Sequence, residues 1–168
     1  GGLGDERQLH MYHESVGYIA DGPDEIRRAC RICVREGVDV LKINISGDEF
    51  SQPGQSEKLT YNDAEVAAAV EVAKEAGIHI ATHARADRAV RMALKHGIDI
   101  IYHADYCTNK TIDMLEAKKK TVFLAPAAGA IYATAYEAGD WGITREVAES
   151  MNLFYKMENT ARVYNEVR

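Results

Sequence analysis

The sequence Ile98-Asp99-Ile100-Ile101-Tyr102-His103-Ala104-Asp105 decides the fold that we predict for this chain. Two earlier stretches, 38–42 and 78–83, share its organisation: each follows a glycine, contains β-branched residues and ends at a side chain with metal-binding chemistry. A glycine after a helical pattern closes the helix. A short apolar run after that glycine is typical of a strand buried on both faces. The repeat therefore predicts an α/β fold in which parallel strands alternate with helices.

The residues at the ends of these strands are Lys42, His83 and His103. In α/β folds, ligands collect beyond the carboxyl ends of the parallel strands. Because those ends meet at one edge of the sheet, we expect the lysine and the two histidines to form a site.

Composition and charge restrict the class of protein. The chain has 168 residues, of which 46% are hydrophobic and 27% charged, and this predicts a single globular α/β unit over residues 1–168. The net charge of −6 argues against nucleic acid or an anionic membrane as a partner, since both require a basic surface. No apolar run approaches the roughly 18 residues of a membrane span, and no leader pattern precedes the first helix. We expect a cytoplasmic protein with a small-molecule substrate, and assembly into a homo-oligomer stays open.

The cysteines and the first histidines have ordinary explanations. Three cysteines cannot all pair, and Cys30 and Cys33 lie within one helical pattern, so we expect buried helix thiols rather than a disulfide or a zinc ribbon. Cys107 is predicted to be a passive loop thiol near the site. His10 and His13 have a spacing that could hold a metal on a helix, but surface histidines near a terminus are far more common.

The first half of the chain is divided by clear boundary signals. The first helix is predicted to have Asp21 as its N-cap and Pro23 in its first turn, and to end at Gly37. A strand over 38–45 follows. The segment 46–58 is polar and contains glycine and proline, so it predicts a loop that could cover a site.

The next helix is predicted to begin at a capping box, Thr60-Tyr61-Asn62-Asp63, and to reach Ala76. The later predicted elements are a strand over 78–83, a helix over 87–96, a strand over 98–105, a helix from Thr108 or Asn109 to about Lys118, a strand over 121–125 and a final helix over 144–167. Between the last two, residues 126–130 are predicted to lead into a loop that carries Tyr132, Tyr136 and Trp141. Those aromatic rings either line a substrate pocket or pack beneath the loop.

Three segments, Leu41–Gly47, Ala81–Ala84 and Ile101–Ala104, have an order and spacing that resemble the metal-dependent amidohydrolase superfamily. The similarity is to its prolidase-like and imidazolonepropionase-like branch, and it extends over nearly the whole chain. The resemblance implies that the chain is a fragment of a (β/α)8 TIM-type barrel and supplies strands four to seven.

The resemblance also implies roles for the strand-end residues. Lys42 would be the catalytic carboxylated lysine that bridges two metal ions, and His83 and His103 would bind the second ion. A neutral lysine amine adds CO2 to give an anionic carbamate with two oxygens, and neutral imidazoles suit zinc. The expected cofactor is therefore a divalent metal, zinc, as a binuclear centre in the complete enzyme.

The sequence departs from the family pattern in several places. The His-x-His pair of the first strand and the aspartate of the eighth strand have no counterpart, which is why we expect a fragment. Arg85 lies two residues after His83, where relatives carry a small or aromatic polar motif, and Tyr102 stands where relatives often have an acidic residue. We predict that Arg85, Tyr102 and Tyr132 contact the substrate, whose identity these departures leave open.

The implied activity is hydrolysis of an amide, urea or carbamate C–N bond by a metal-activated water. Two other hypotheses stay open at this point. The chain could be a half-barrel that binds a metal or small ligand without turnover, or an inert interaction module in which Lys42 is an ordinary amine.

Overall fold

The computed structural model describes residues 17–49 and 54–167, so His10 and His13 lie outside the described residues. Its strands are β1 Val40–Asn44, β2 His79–Ala86, β3 Ile100–Tyr106 and β4 Phe123–Ala125. Its helices are α1 Pro23–Arg35, α2 Asp63–Ala76, α3 Asp87–His96, α4 Asn109–Ala117, α5 Ala128–Tyr136, α6 Arg145–Ser150 and α7 Leu153–Glu166, with a 3₁₀ turn at Gly139–Trp141.

The strands form one parallel sheet in the order β1-β2-β3-β4, with a helix between each strand and the next. This confirms the predicted fold class. Left-handed glycines follow the helices as expected: Gly77 caps α2 and Gly97 caps α3. Helix α3 has the predicted bounds, and α2 ends at the predicted Ala76.

The two faces of the sheet differ in burial. Leu41, Ile80 and Ile101 are buried in the hydrophobic core that the helices share. Side chains alternate along a strand, so the residues between them lie on the opposite face. On that open face Val40 is 41% and Phe123 is 67% exposed. Helices therefore cover one side of the described sheet, whereas the open face is exposed near Val40 and Phe123 and buried at His83.

The starts of α1 and α2 differ from the prediction. The N-cap of α1 is Gly22 rather than Asp21, and no side chain caps this helix. The capping box of α2 is formed by Asn62 and Glu65 rather than by Thr60 and Asp63. The Thr60 hydroxyl donates to the Asn44 carbonyl instead and fastens the loop to β1. Glu65 also accepts a hydrogen bond from the Gly22 amide at 2.8 Å, so one buried carboxylate serves two helix starts.

The carboxyl-terminal part contains two corrections. Tyr132 and Tyr136 lie on α5 rather than in a loop, because the alanine-rich segment before them has high helix propensity. The predicted helix over 144–167 is two helices, α6 and α7. Asn152 separates them in a left-handed conformation with φ 58°, which asparagine tolerates better than most residues.

The cysteines are free thiols, with Cys30 and Cys107 buried and Cys33 partly exposed. The prediction of unpaired cysteines is confirmed. Among the described helices, none is both long and apolar enough to span a membrane.

Asp87, the first residue of α3, also holds the start of α4. One of its carboxylate oxygens accepts hydrogen bonds from the Thr108 amide and hydroxyl, each at 2.9 Å, and from the Thr111 hydroxyl at 2.5 Å. Arg91 pairs with the other oxygen at 2.6 Å. Burial alone would raise the pKa of Asp87, but the Thr111 and Thr108 hydrogen bonds and the Arg91 charge together lower it.

We expect Asp87→Asn to lower the free energy of unfolding by about 1 kcal/mol at neutral pH, because a charge-assisted link between two helices is weakened. Because the pKa of Asp87 is lower in the folded than in the unfolded chain, its ionised carboxylate stabilises the fold at pH values above the unfolded pKa. This stabilisation is lost as pH falls through the folded pKa. The difference between variant and wild type should therefore shrink below about pH 4. Urea denaturation at several pH values measures it, with the exposed Asp113→Asn as the control. An equal loss in both variants would contradict this role of Asp87.

Candidate metal centre

His83 lies in β2 and is 1% exposed. Its Nε2 donates a hydrogen bond to the Gly47 carbonyl at 3.0 Å, since a carbonyl oxygen only accepts. The neutral ring then carries a lone pair on Nδ1, and this buried atom has no hydrogen-bond partner within the described part of the chain. His83 Nδ1 thus has an unused lone pair in the protein interior that can bind a metal ion.

His103 reaches His83 through an irregularity in β3. In the register, Ala84 pairs with His103 and Ala86 pairs with Tyr106, so β3 contains one extra residue. His103 and Ala104 have φ values of 78° and 57°, in the left-handed region that residues with a Cβ seldom occupy. The His103 ring lies edge-on to the His83 ring, with a centroid distance of 4.6 Å. Its Nδ1 is buried and, among the residues described, also has no hydrogen-bond partner.

Asp48 completes the cluster, and sequence reasoning did not find it. It lies after β1, in the predicted covering loop, and it is 4% exposed. The hydrogen bond between Gly47 and His83 connects this loop to β2. Donor atoms of Asp48, His83 and His103 all lie within 4.8 Å of one another. Ligand atoms at about 2.1 Å from a tetrahedral zinc ion are about 3.4 Å apart. Small side-chain rotations would therefore let these residues hold a divalent ion.

Burial keeps both imidazoles neutral. Desolvation lowers the pKa of His83 to about 4, opposed by the Gly47 hydrogen bond and assisted by the Arg85 charge. Desolvation also lowers the pKa of His103 to about 3, again with help from Arg85. Neutral imidazole is the form that binds metal, so the two rings have the correct protonation state at physiological pH.

Arg85 occupies the interior beside the cluster. Its Nε donates to Asp48 Oδ2 at 2.6 Å, and its Nη1 pairs with Asp105 Oδ2. All three side chains are nearly inaccessible to solvent. Burial raises the pKa of Asp105 to about 6 against the opposing effect of Arg85 and Lys156. The predicted substrate contact of Arg85 stays a prediction, and in the structure its guanidinium binds two carboxylates of the protein.

Lys42 and Tyr102 lie on the open face of the sheet. Asn44, His83 and Tyr102 form one row across β1, β2 and β3, and Lys42 precedes Asn44 by two residues on the same face. Lys42 Nζ lies 5.4 Å from the centre of the Tyr102 ring, and desolvation lowers its pKa. The structure therefore places Lys42 on the same face of the sheet as His83, and its role as a carboxylated metal bridge stays a prediction.

Tyr132 is the one predicted site residue that does not lie on a strand of the sheet. It lies on α5, is 49% exposed, and makes its ring contact with Tyr136 at a centroid distance of 5.0 Å. Its proposed contact with substrate stays a prediction.

A second residue that sequence reasoning missed is Lys156 of α7. Its side chain is completely buried, and its Nζ lies 3.6 Å from Asp48 Oδ1. The one signal in the sequence was a lysine on the same helical face as Leu153 and Val163, both of which are apolar and buried.

Comparison with known proteins finds similarity in sequence and in fold. No protein-family model matches the chain. Over 100 residues, the chain is 27% identical to ochratoxinase from Aspergillus niger, a match that spans 60% of this chain and 21% of ochratoxinase.

Solved structures show the same arrangement of elements. The crystal structure of A. niger ochratoxinase has a TM-score of 0.77 and 22% identity, covering 91% of this chain and 34% of that chain. A prolidase in complex with N-methylphosphonate-L-proline also has a TM-score of 0.77, with 21% identity, covering 99% of this chain and 41% of its own. An amidohydrolase structure has a TM-score of 0.71 and 25% identity, covering 89% of this chain and 37% of that one.

The predicted resemblance to amidohydrolases, including prolidase-like members, is therefore confirmed, as is the TIM-barrel type of fold. The chain spans less than half the length of each of these relatives and about a fifth of ochratoxinase in the sequence match.

We expect the rings of His83 and His103 to stay neutral at about pH 5 in the metal-free protein, because their folded pKa values are about 4 and 3. The unfolded chain takes up these protons near pH 6.5. The contribution of the two rings to folding stability should therefore be full above that value and decrease as pH falls towards the folded pKa values of about 4 and 3. NMR of the ring nitrogens measures the protonation state directly. A midpoint near 6.5 for either ring would show that the interior does not desolvate it.

Proposed function

We propose that this chain is part of a metal-dependent hydrolase that cleaves an amide C–N bond in a small molecule. The observation that carries the proposal is the convergence of Asp48, His83 and His103, with two neutral imidazoles, at the carboxyl edge of a parallel sheet. The sequence match to ochratoxinase and the shared fold with a prolidase support an amide-cleaving activity.

Zinc is the metal that we propose for this centre. Imidazole nitrogen and carboxylate oxygen are common zinc ligands, and the buried Nδ1 atoms of His83 and His103 need a partner. A divalent ion bound here would lower the pKa of a water molecule and polarise a substrate carbonyl. The protein contributes donors of correct protonation state in an interior that excludes bulk water.

We infer that Lys42 becomes carboxylated in the complete protein. The neutral amine attacks CO2, a nitrogen–carbon bond forms and a proton leaves, which gives a carbamate anion. The lowered pKa of Lys42 raises the fraction of neutral amine available for this reaction. The carbamate would then bridge two metal ions, with His83 and His103 on the second.

The substrate that we propose is an amide of a small molecule, such as an N-acyl amino acid or a dipeptide. Tyr102 supports this idea best among the predicted contacts, because its ring lies under the Lys42 amine on the open face. A flat aromatic surface beside the metal site can hold an apolar part of a substrate in place.

We further propose that the chain supplies one part of a larger (β/α)8 barrel. Parallel sheets are normally covered on both faces, and the face with Lys42 exposes the apolar residues Val40 and Phe123. The remaining strands would cover this face and supply further ligands. Sequencing the gene on both sides of this segment tests the proposal, through the presence or absence of a His-x-His strand and a strand-ending aspartate.

We expect His83→Ala and His103→Ala each to lower zinc affinity in the complete protein by at least tenfold, since each removes a ligand of the centre and even the loss of a partner behind a ligand costs 10- to 100-fold. Hydrolysis of a proline dipeptide and of an N-acyl amino acid should fall in parallel. His79→Ala is the matched control, because His79 is an exposed histidine at the other end of β2.

The zinc content and the amide turnover of the wild-type protein distinguish the proposed function from its alternatives. Stoichiometric zinc with turnover of either amide supports the hydrolase. Zinc without turnover of a wider panel of amides, ureas and carbamates would favour a binding module. No metal after reconstitution with zinc and bicarbonate would refute the metal centre.

We expect Lys42→Ala to lose both metal and activity, and a short carboxylic acid added to the buffer to restore part of both by replacing the carbamate oxygens. Mass spectrometry of the wild type under bicarbonate should show a CO2 adduct on the peptide with Lys42. Lys74→Ala, an exposed lysine of α2, should behave as wild type. A Lys42→Ala protein with full metal content and turnover would rule out the carbamate.

A further inference from the structure

Lys156 is a fully buried lysine on helix α7, and the other fully buried residues of this helix are uncharged. Leu153, Thr160 and Val163 lie on the same face of α7 and are also completely buried. Removing an ammonium group from water is costly unless acidic groups compensate its charge. A protein with an apolar residue at such a position is often at least as stable. A buried lysine here therefore calls for a role other than packing.

The Lys156 ammonium faces the carboxylate of the candidate metal centre. Its Nζ lies 3.6 Å from Asp48 Oδ1 and, within the described residues, has no hydrogen-bond partner. The other oxygen, Asp48 Oδ2, accepts from Arg85 at 2.6 Å and lies 3.7 Å from His83 Nε2. Two cations from different elements thus hold Asp48 from opposite oxygens and fix the plane of the carboxylate.

The charges around Lys156 extend this arrangement. Asp48, Asp105 and Glu49 all attract the ammonium, whereas Arg85 repels it. Arg85 is itself held by Asp48 and Asp105. With Arg85 fixed on one side, Lys156 is the group through which α7 can act on Asp48.

We propose that Lys156 is a positioning residue that fixes the orientation of Asp48, so that helix α7 sets the metal affinity of the centre without contributing a ligand. This inference rests on the proposed metal centre. Groups that orient a metal ligand typically contribute 10- to 100-fold to metal affinity.

The test is a titration of the complete, metal-free protein with Co²⁺, followed by visible absorption, which reports both affinity and ligand geometry. Lys156→Met keeps the length of the side chain and removes the charge. We expect a 10- to 100-fold loss of Co²⁺ affinity and a changed absorption spectrum. Lys156→Gln, which keeps a polar donor, should show a smaller loss in the same direction and serves if the methionine variant does not fold.

Val163→Ala separates positioning from packing, because it removes buried contacts on the same face of α7 without touching charge. It should lower thermal stability and leave Co²⁺ affinity and spectrum unchanged. The same affinity loss in Val163→Ala as in Lys156→Met would overturn the proposal.

A double-mutant cycle identifies the residue through which Lys156 acts. In an Asp48→Asn background, Lys156→Met should cost less than about twofold in further Co²⁺ affinity, because the carboxylate that it positions is absent. An undiminished effect there would overturn the proposal. A wild type that binds no Co²⁺ refutes the metal centre itself, whereas a wild type that binds Co²⁺ as tightly as Lys156→Met refutes only the role of Lys156.

Discussion

The candidate centre depends on one backbone irregularity in β3. In a regular parallel pair, His103 would point to the same face as Ala84 and away from the His83 ring. The extra residue and the left-handed conformations of His103 and Ala104 turn the ring towards His83. Such conformations cost about 1–2 kcal/mol per residue, and they persist only where surrounding packing enforces them. Ala104 is completely buried, which provides that constraint.

A second constraint is that one buried cation, Arg85, acts on both Asp48 and the histidines. Arg85 orients Asp48 through a hydrogen bond, and its charge also lowers the pKa of both histidines. A buried arginine without partners would be very costly, so Asp105 supplies the second carboxylate. Arg85 therefore contributes to the orientation of Asp48 and, after desolvation, to the neutrality of the two imidazoles. Metal binding at the candidate centre would depend on Arg85 and Asp105 as well as on Asp48 and the two histidines.

The sequence predicted the parts of the structure that local chemistry determines. Glycines that end helices located α3 and the end of α2, and the apolar runs after them located the strands that carry Lys42, His83 and His103. Asp48 and Lys156 were not predictable in this way. Asp48 reaches the histidines through the path of a loop, and Lys156 through the docking of α7 more than a hundred residues later. Contacts of this kind depend on tertiary packing, which no local pattern encodes.

The open face of the sheet connects the proposed barrel with the proposed chemistry of Lys42. Lys42 and Tyr102 share this face with Val40 and Phe123, which expose apolar surface. Partial desolvation already lowers the pKa of Lys42. Strands that covered the face would remove more water from the amine and lower its pKa further. Because CO2 reacts with the neutral amine, closing the proposed barrel would favour the proposed carbamate at Lys42.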